Sequence, residues 1–224
     1  MQSADQKQTV FQDLSKGARV LLEVAKRLFA EKGYDAVSIN EIARQAGSSK
    51  GNVFHHFSSK EKLYLSVLKA ACEETAGSLM DGELAGDAGE RLWTFFSSQL
   101  SALLEHETSA RLVLREIVEG RTEREQPLAE QVFAGFFNRL VKMVGDGQNE
   151  GLLRKDFNPA LLAFLMLAAN LFFFESHKIT LHLEQGEFAR TPADYSKEVF
   201  RLLLQGAEIP GVPVEGLKSG IFAS

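Results

Sequence analysis

Apolar positions along this 224-residue chain recur every three or four residues almost throughout, the period of amphipathic helices rather than of strands. Leu21, Val24, Ala25, Leu28 and Phe29 form one such stripe. They predict a helix over 16–32, with Ser15 as its N-cap and Gly33 closing it. Ile39, Ile42, Ala43 and Ala46 predict a short second helix, opened by the capping box Ser38-Ile39-Asn40-Glu41 and ended at Gly47. Ser48 and Ser49 are ready N-caps for a third helix beginning near Lys50, in which Phe57 turns inward. A second capping box, Ser58 to Glu61, opens a fourth helix that carries Leu63, Val67, Leu68 and Ala71 and runs to about residue 79.

An acidic, Gly-rich connector at 81–89 follows. Helices are then predicted over about 90–104, about 108–119 with Gly120 ending it, and from a first-turn Pro127 to about 144, with Gly145, Gly147 and Gly151 as breakers. The last two are expected at about 158–183 and 193–205. The pattern holds no convincing strand, repeat or low-complexity segment, so the fold class is all-α.

The most apolar run, Leu161 to Phe174, is 14 residues and falls short of the ~20 needed to cross a bilayer. It is apolar on nearly every side, so one side can face its own domain and the other needs a partner subunit or a ligand. That makes it the best evidence in the sequence for a homodimer.

Two short helices joined by a tight Gly turn make a helix-turn-helix, a unit that sets its second helix in the major groove of DNA. The second helix here carries Ser49, Lys50, Gly51, Asn52, His55 and His56, polar and cationic groups suited to phosphates and base edges. The net charge of −5 at first argues against DNA, but it is unevenly spread. Residues 1–69 hold 11 Lys/Arg and 7 Asp/Glu, a net of +4, and residues 70–224 hold 14 and 23, a net of −9. The cations lie with the helix-turn-helix, where release of counterions from phosphates uses them.

Other motifs dissolve on inspection. Gly47 to Gly51 fits the nucleophile-elbow pattern G-x-S-x-G, but that elbow needs a strand before it and a helix precedes it here. The glycines at 145–151 follow a helix and form no dinucleotide fingerprint. His106, His177 and His182 lack the spacing that sets two ligands on one helix face, so no metal or cofactor is expected. The single cysteine, Cys72, excludes an internal disulfide and reads as a small buried hydrophobe. No leader pattern opens the sequence, and a cytoplasmic location is the expectation.

At Leu28-Phe29-Ala30-Glu31-Lys32-Gly33-Tyr34, Ser38-Ile39, Ile42-Ala43, Ala46-Gly47, Ser49-Lys50-Gly51, His56-Phe57 and Lys60-Glu61-Lys62-Leu63 the chain closely resembles the tetracycline-repressor (TetR) family of bacterial transcriptional regulators. The match runs from about residue 15 to 69; the rest shares only a helical pattern. The family commonly has Tyr where this chain has Phe54, so that hydroxyl is missing. Polar composition marks a flexible arm at 1–14, and two Pro and three Gly an irregular tail at 209–224; the resemblance implies a DNA-binding domain at 15–69 with its recognition helix at about 49–56 and a helical effector-binding and dimerisation domain at 70–208.

It also implies a dimer through the last two helices, a roughly palindromic double-stranded operator and an apolar or aromatic effector. The DNA-binding set is Ser38, Ser48, Ser49, Lys50, Gly51, Asn52, His55, His56 and Lys60. Among these Lys50, Ser38 and Lys60 would hold phosphates, while Ser49, Asn52 and His55 reach base edges. The family matches Lys60 with a backbone-contacting Lys. Candidate effector-pocket residues are Trp93, Phe96, Glu116, Phe133, Phe137, Asn170, Phe173 and His177. The reading is a repressor released by its effector. An effector-independent regulator or activator stays open, as does a helical small-molecule-binding protein or enzyme, for which no acid–base or nucleophile set speaks.

Overall fold

The computed structural model describes residues 14–77, 84–120 and 122–206. The arm expected at 1–14 lies almost entirely outside them, and the tail at 209–224 wholly so. Within the described residues the chain is helical, with no strand. The helices are α1 (Lys16–Ala36), α2 (Ile39–Gln45), α3 (Lys50–Phe57), α4 (Lys60–Thr75), α5 (Ala88–Glu105), α6 (Glu107–Glu119), α7 (Thr122–Leu128), α8 (Ala134–Asn149), α9 (Pro159–Thr180) and α10 (Pro192–Gln205). A π-turn over Ala129–Phe133 precedes α8, and a 3₁₀ turn over Gly186–Ala189 precedes α10.

The chain forms two compact units that are not consecutive stretches. The first gathers the described residues up to Ala76 with His106–Gly135; the second gathers Gly77–Glu105 with the described residues from Phe136 on. A single boundary near residue 69 therefore does not follow the packing, because α6 and the π-turn pack on α4, and α6 also packs on α1. Periodicity finds a helix's apolar face but says nothing of which partner it meets.

In the first unit Leu21, Leu22, Ala25, Leu28 and Phe29 of α1 are buried along with Leu63, Val67 and Leu68 of α4. Cys72 is buried among them, and that burial pushes its thiol up to about 12, so it behaves as an apolar group. Lys26 reaches across to Glu74 at 2.8 Å, and Glu74 also takes a hydrogen bond from Ser109 at 2.5 Å. In the second unit Leu92, Phe95 and Phe96 of α5 meet Leu140 and Val144 of α8, Met166 of α9, and Phe200 and Leu204 of α10.

Caps set most of the boundaries. Ser15 accepts from the Ala18 amide, Ser38 from Glu41, Ser49 from Asn52, Asn158 from Ala160 and Thr191 from Asp194. Pro159 and Pro192 open α9 and α10, where a missing N–H costs nothing. A reciprocal capping box unforeseen from sequence opens α5: Asp87 accepts from the Glu90 amide at 2.9 Å, and Glu90 accepts from the Asp87 amide at 3.1 Å.

Four expectations need correction. Ser58 is not the N-cap of α4; it ends α3 at φ 60°, and Ser59 takes the cap, accepting from Lys62. Pro127 lies inside α7 rather than in a first turn; it has no N–H to give the preceding turn, and a π-turn follows two residues on. Gly145 and Gly147 do not break α8, because Gly147 is packed against Leu153 and Ala88, and only Gly151, at φ 79°, lies past the end. The apolar run extends into a 22-residue helix, long and apolar enough by length and composition to cross a membrane.

α9 instead has two faces. Leu162, Ala163, Met166, Asn170, Phe173 and Phe174 are buried in the second unit. Leu161, Leu165, Phe172 and Ile179 share another face and stand exposed, Phe172 by 74% and Ile179 by 70%. Asn170 is fully buried; its amide donates to the Phe96 carbonyl at 2.9 Å and to Gln99 Oε1 at 2.7 Å. A polar side chain bonded into a protein core is the environment of a folded domain.

Gly33 interrupts α1 with φ 77° and ψ 167°, a region open to glycine alone. Gly33→Ala meets no steric neighbour closer than the Arg115 guanidinium at 4.0 Å, so its cost is backbone strain. The expected loss is about 1–3 kcal/mol of unfolding free energy, read by denaturant titration.

Candidate nucleic-acid interface

The helix-turn-helix is built from α1, α2 and α3. Ile39, Ile42 and Ala43 bury α2, and Val53 and Phe57, one turn apart, bury α3. The turn between them passes through Gly47 at φ 61°, with the Ser48 amide returning to the Ala43 carbonyl at 2.9 Å. Lys32 of α1 holds Glu41 of α2 at 2.6 Å. That hydrogen bond keeps the Glu41 carboxyl below its usual range. Glu41 therefore faces a lysine while Ser38 caps its amide. A further tie runs from Arg27 to Gln45 at 2.7 Å.

The opposite face of α3 is open. Lys50, Gly51, Phe54 and His55 are exposed, with Asn52 and His56 half-buried. Ser49 accepts from the Asn52 amide at 3.1 Å and keeps its hydroxyl proton to donate outward. The Asn52 amide group donates to Ser48 Oγ at 2.9 Å, which fixes the Asn side chain at the head of the helix. The Lys50 ammonium stands 5.8 Å from the centre of the Phe54 ring, and the His55 and His56 rings meet edge to face at 5.3 Å. Gly51 carries no side chain between Ser49 and Asn52, so a ligand can approach the backbone there. This is a short capped helix with a donor-rich face, rigid on its inner side and accessible on its outer one.

Ser38 is exposed at the head of α2, its oxygen accepting from Glu41. Lys60 sits in the first turn of α4, where backbone amides point outward. Its ammonium lies 4.3 Å from the Tyr34 ring centre and 3.4 Å from the Asp35 carbonyl oxygen. All nine residues proposed for DNA thus lie at the N-cap of α2, in the turn before α3, in α3 and its cap, or at the start of α4.

The other eight candidates are divided between the two units. Trp93, Phe96, Phe137, Asn170, Phe173 and His177 belong to the second unit, and Glu116 and Phe133 to the first. In the second unit Trp93 and Phe96 pack on Phe200, at 5.3 and 5.8 Å between ring centres, and Phe137 lies against the same core. Phe173 stacks on Tyr195 at 4.0 Å and on His177 at 5.4 Å, and His177 Nδ1 lies 3.0 Å from the Phe174 carbonyl oxygen. Asn170 Oδ1 is buried without a hydrogen-bond partner, and both hydrogens of its amide are already used.

Glu116 has another occupation. It accepts from Arg124 Nε at 2.8 Å, from Arg124 Nη2 at 3.3 Å and from the Tyr64 hydroxyl at 2.8 Å. Burial, and then the bond to Glu116, pushes the Tyr64 phenol well above its usual range. Burial opposes the charge of Arg124, but its bonds to Glu116 more than offset this and hold its pKa above the usual value. Sequence reasoning missed Arg124 and Tyr64 because neither is close to Glu116 in any helical pattern.

The family described as "Bacterial regulatory proteins, tetR family" matches residues 21–67, the stretch that holds α2, α3, most of α1 and the first half of α4. The chain is 32% identical over 118 residues to the HTH-type transcriptional regulator YuxN of Bacillus subtilis, covering 51% of this chain and 40% of that protein. It is 48% identical over 48 residues to the HTH-type regulator QacR of Staphylococcus aureus, covering 21% of this chain and 26% of that one. The HTH-type repressor KstR2 of Mycobacterium tuberculosis is 29% identical over 146 residues, 63% of this chain and 69% of its own length. The match thus spans less than half the length of YuxN and of QacR.

Solved structures share the fold. The fatty acid degradation regulator FadR of Bacillus halodurans aligns at a TM-score of 0.69 with 19% identity, over 87% of this chain and 97% of that one. The KstR2 structure aligns at 0.54 with 21% identity, over 88% and 97%. Residues 21–67 thus match the helix-turn-helix of the tetR family of bacterial regulatory proteins, within an all-helical fold that solved structures share.

Proposed function

We propose that the protein is a sequence-specific DNA-binding transcriptional regulator, a repressor whose hold on its operator is relieved by a small apolar or aromatic effector. The observation that carries this reading is the outer face of α3, where Lys50, Gly51 and His55 stand exposed above a buried inner pair, Val53 and Phe57. Its relative KstR2 is named as a repressor, which favours repression over activation. Lys50, Ser38 and Lys60 hold phosphates, and Ser49, Asn52 and His55 read base edges. His56, half-buried beside Phe57, Ser48 and Gly51 set the helix and its approach. A regulator of this kind works in the cytoplasm.

Two copies bind as a homodimer through α9 and α10. The exposed apolar face of α9 and Leu202 of α10, 62% exposed, support it, since lone monomers rarely leave such a surface to water. A two-fold pair of α3 helices then meets a roughly palindromic site in successive major grooves.

The effector binds in the second unit. Asn170 Oδ1, a buried acceptor with no donor, favours a ligand carrying a hydroxyl or N–H on an apolar body. The ligand acts only through the difference in its affinity for the two states of the protein. The chain passes between the units near residues 76, 105 and 135, and these crossings carry the change to α4 and α6.

Binding to DNA fragments from beside the protein's own gene, followed by fluorescence anisotropy across a salt series, tests the reading. Tight, sequence-dependent binding with a steep salt slope is the expected result; no binding to any selected sequence would sink it. Lys50→Ala should weaken binding to all sequences alike and reduce the salt slope by about one. Phe172→Asp puts a charge on the exposed face of α9, and sedimentation should show monomers where the parent protein dimerises. A ligand that leaves operator affinity unchanged at saturation is no effector of this protein.

A further inference from the structure

The polar network around Glu116 lies inside the first unit and reaches the helix-turn-helix without touching its open face. Glu116 of α6 binds Arg124 of α7 and Tyr64 of α4. The Arg124 guanidinium carbon stands 4.6 Å from the centre of the Tyr34 ring and 5.5 Å from that of Tyr64. The rings of Tyr34 and Tyr64 lie 4.8 Å apart, and Phe29 meets Tyr64 edge-on at 4.8 Å. Tyr34 follows Gly33, the one residue of α1 with non-helical backbone angles, and stands just before the entry to α2. Arg115 of α6 donates to the Ala30 carbonyl at 2.9 Å and clamps the same turn from the other end.

The Tyr34 ring also receives Lys60, whose ammonium is 4.3 Å from the ring centre, and Lys60 donates to the carbonyl of the next residue, Asp35. Two cations from different helices therefore converge on one aromatic ring. Aromatic faces attract cations, and a planar guanidinium fixed by a carboxylate holds a ring more firmly than a lone ammonium. The buried pair is costly to desolvate, so the apolar core alone does not account for it.

We propose that Arg124, fixed by Glu116, is a positioning residue for DNA binding: through the Tyr34 ring it sets both the entry to α2 and the place of Lys60 at the head of α4. This rests on the DNA-binding reading above and extends it to residues 106–135, which belong to the same compact unit as the helix-turn-helix. Arg124 itself touches no DNA in this account. Its effect reaches the operator through the Tyr34 turn and the lysine beside it.

A double-mutant cycle on the full-length protein tests it. Arg124→Met alone leaves Glu116 buried and unpaired and can unfold the chain, so it is made with Glu116→Gln, which removes both charges. The pair of changes should retain the parent's melting temperature within a few degrees. Operator affinity should still fall about tenfold. Lys60→Ala alone should lower affinity and the salt slope by about one. Added to the Glu116→Gln/Arg124→Met protein it should cost little more, since the two act on one contact. Arg124→Lys, which keeps a cation near the ring, should recover part of the affinity, and Tyr34→Phe should bind as the parent does while Tyr34→Leu should not.

Parent-like affinity in the folded Glu116→Gln/Arg124→Met protein would overturn the inference. So would effects of Lys60→Ala and of that pair that simply add, or a Lys60→Ala protein that binds as the parent. If the parent protein itself binds no DNA, the functional reading fails first, and that outcome is told apart from these by the parent's own titration.

Discussion

An eight-residue helix does not hold itself together in water, because nucleation is costly and so few hydrogen bonds follow it. α3 therefore exists only as far as its neighbours hold it, and it can present an outer face only if its inner face is fully used. Two side chains do most of this, Val53 and Phe57, buried at 1% and 5%. The Ser49 cap and the Gly47 turn fix where the helix starts, and the Ser58 backbone at φ 60° fixes where it stops. Every group on the outer face inherits its position from these few contacts. That dependence explains why α1 and α4 pack so extensively on one another: they form the base on which two short helices are mounted.

The base is not purely apolar. Hydrophobic contact is non-directional, and it tolerates small rotations of a helix that would move a recognition face off register. The ties that resist such rotation are polar: Lys26 to Glu74, Lys32 to Glu41, Arg115 to the end of α1, and Glu116 with Arg124 and Tyr64. Buried ion pairs add little net stability against apolar residues of equal volume. Geometry is what they add here, because the fork of a guanidinium on a carboxylate permits one orientation. The one such buried pair among the described residues, Glu116 with Arg124, lies where α4, α6 and α7 meet the turn after α1.

Much of the helix-turn-helix was legible in the sequence, because its determinants are local. Ser38, Gly47 and Ser49 act within four residues of where they stand, and the inward turn of Phe57 follows from helical period. Cap choice was less so: Ser58 and Ser59 are both good cap residues, and only the left-handed backbone at Ser58 decides between them. Gly147 reads as a breaker because its packing against Leu153 and Ala88 is non-local. Glu116 was the least legible of all. A carboxylate in an apolar helix invites a ligand role, and its partners lie 52 residues upstream and 8 downstream, on other helices. The run at 161–174 was seen as apolar all round, but its division into a buried and an exposed face depends on which side meets α5.

The division of the chain into two interleaved units bears on how a signal could pass. Residues 106–135 leave the second unit, pack on α1 and α4, and return to it within α8. An insertion of this kind ties the units by three covalent crossings rather than one. The insertion's own polar contacts, through Arg115 and Arg124, end at the turn that feeds α2. A displacement entering at either end of the insertion thus has a stiff polar route to the helix-turn-helix, beside the route along α4. Both routes meet at the Tyr34 ring, which the contacts of α4, through Lys60, and of the insertion, through Arg124, have in common.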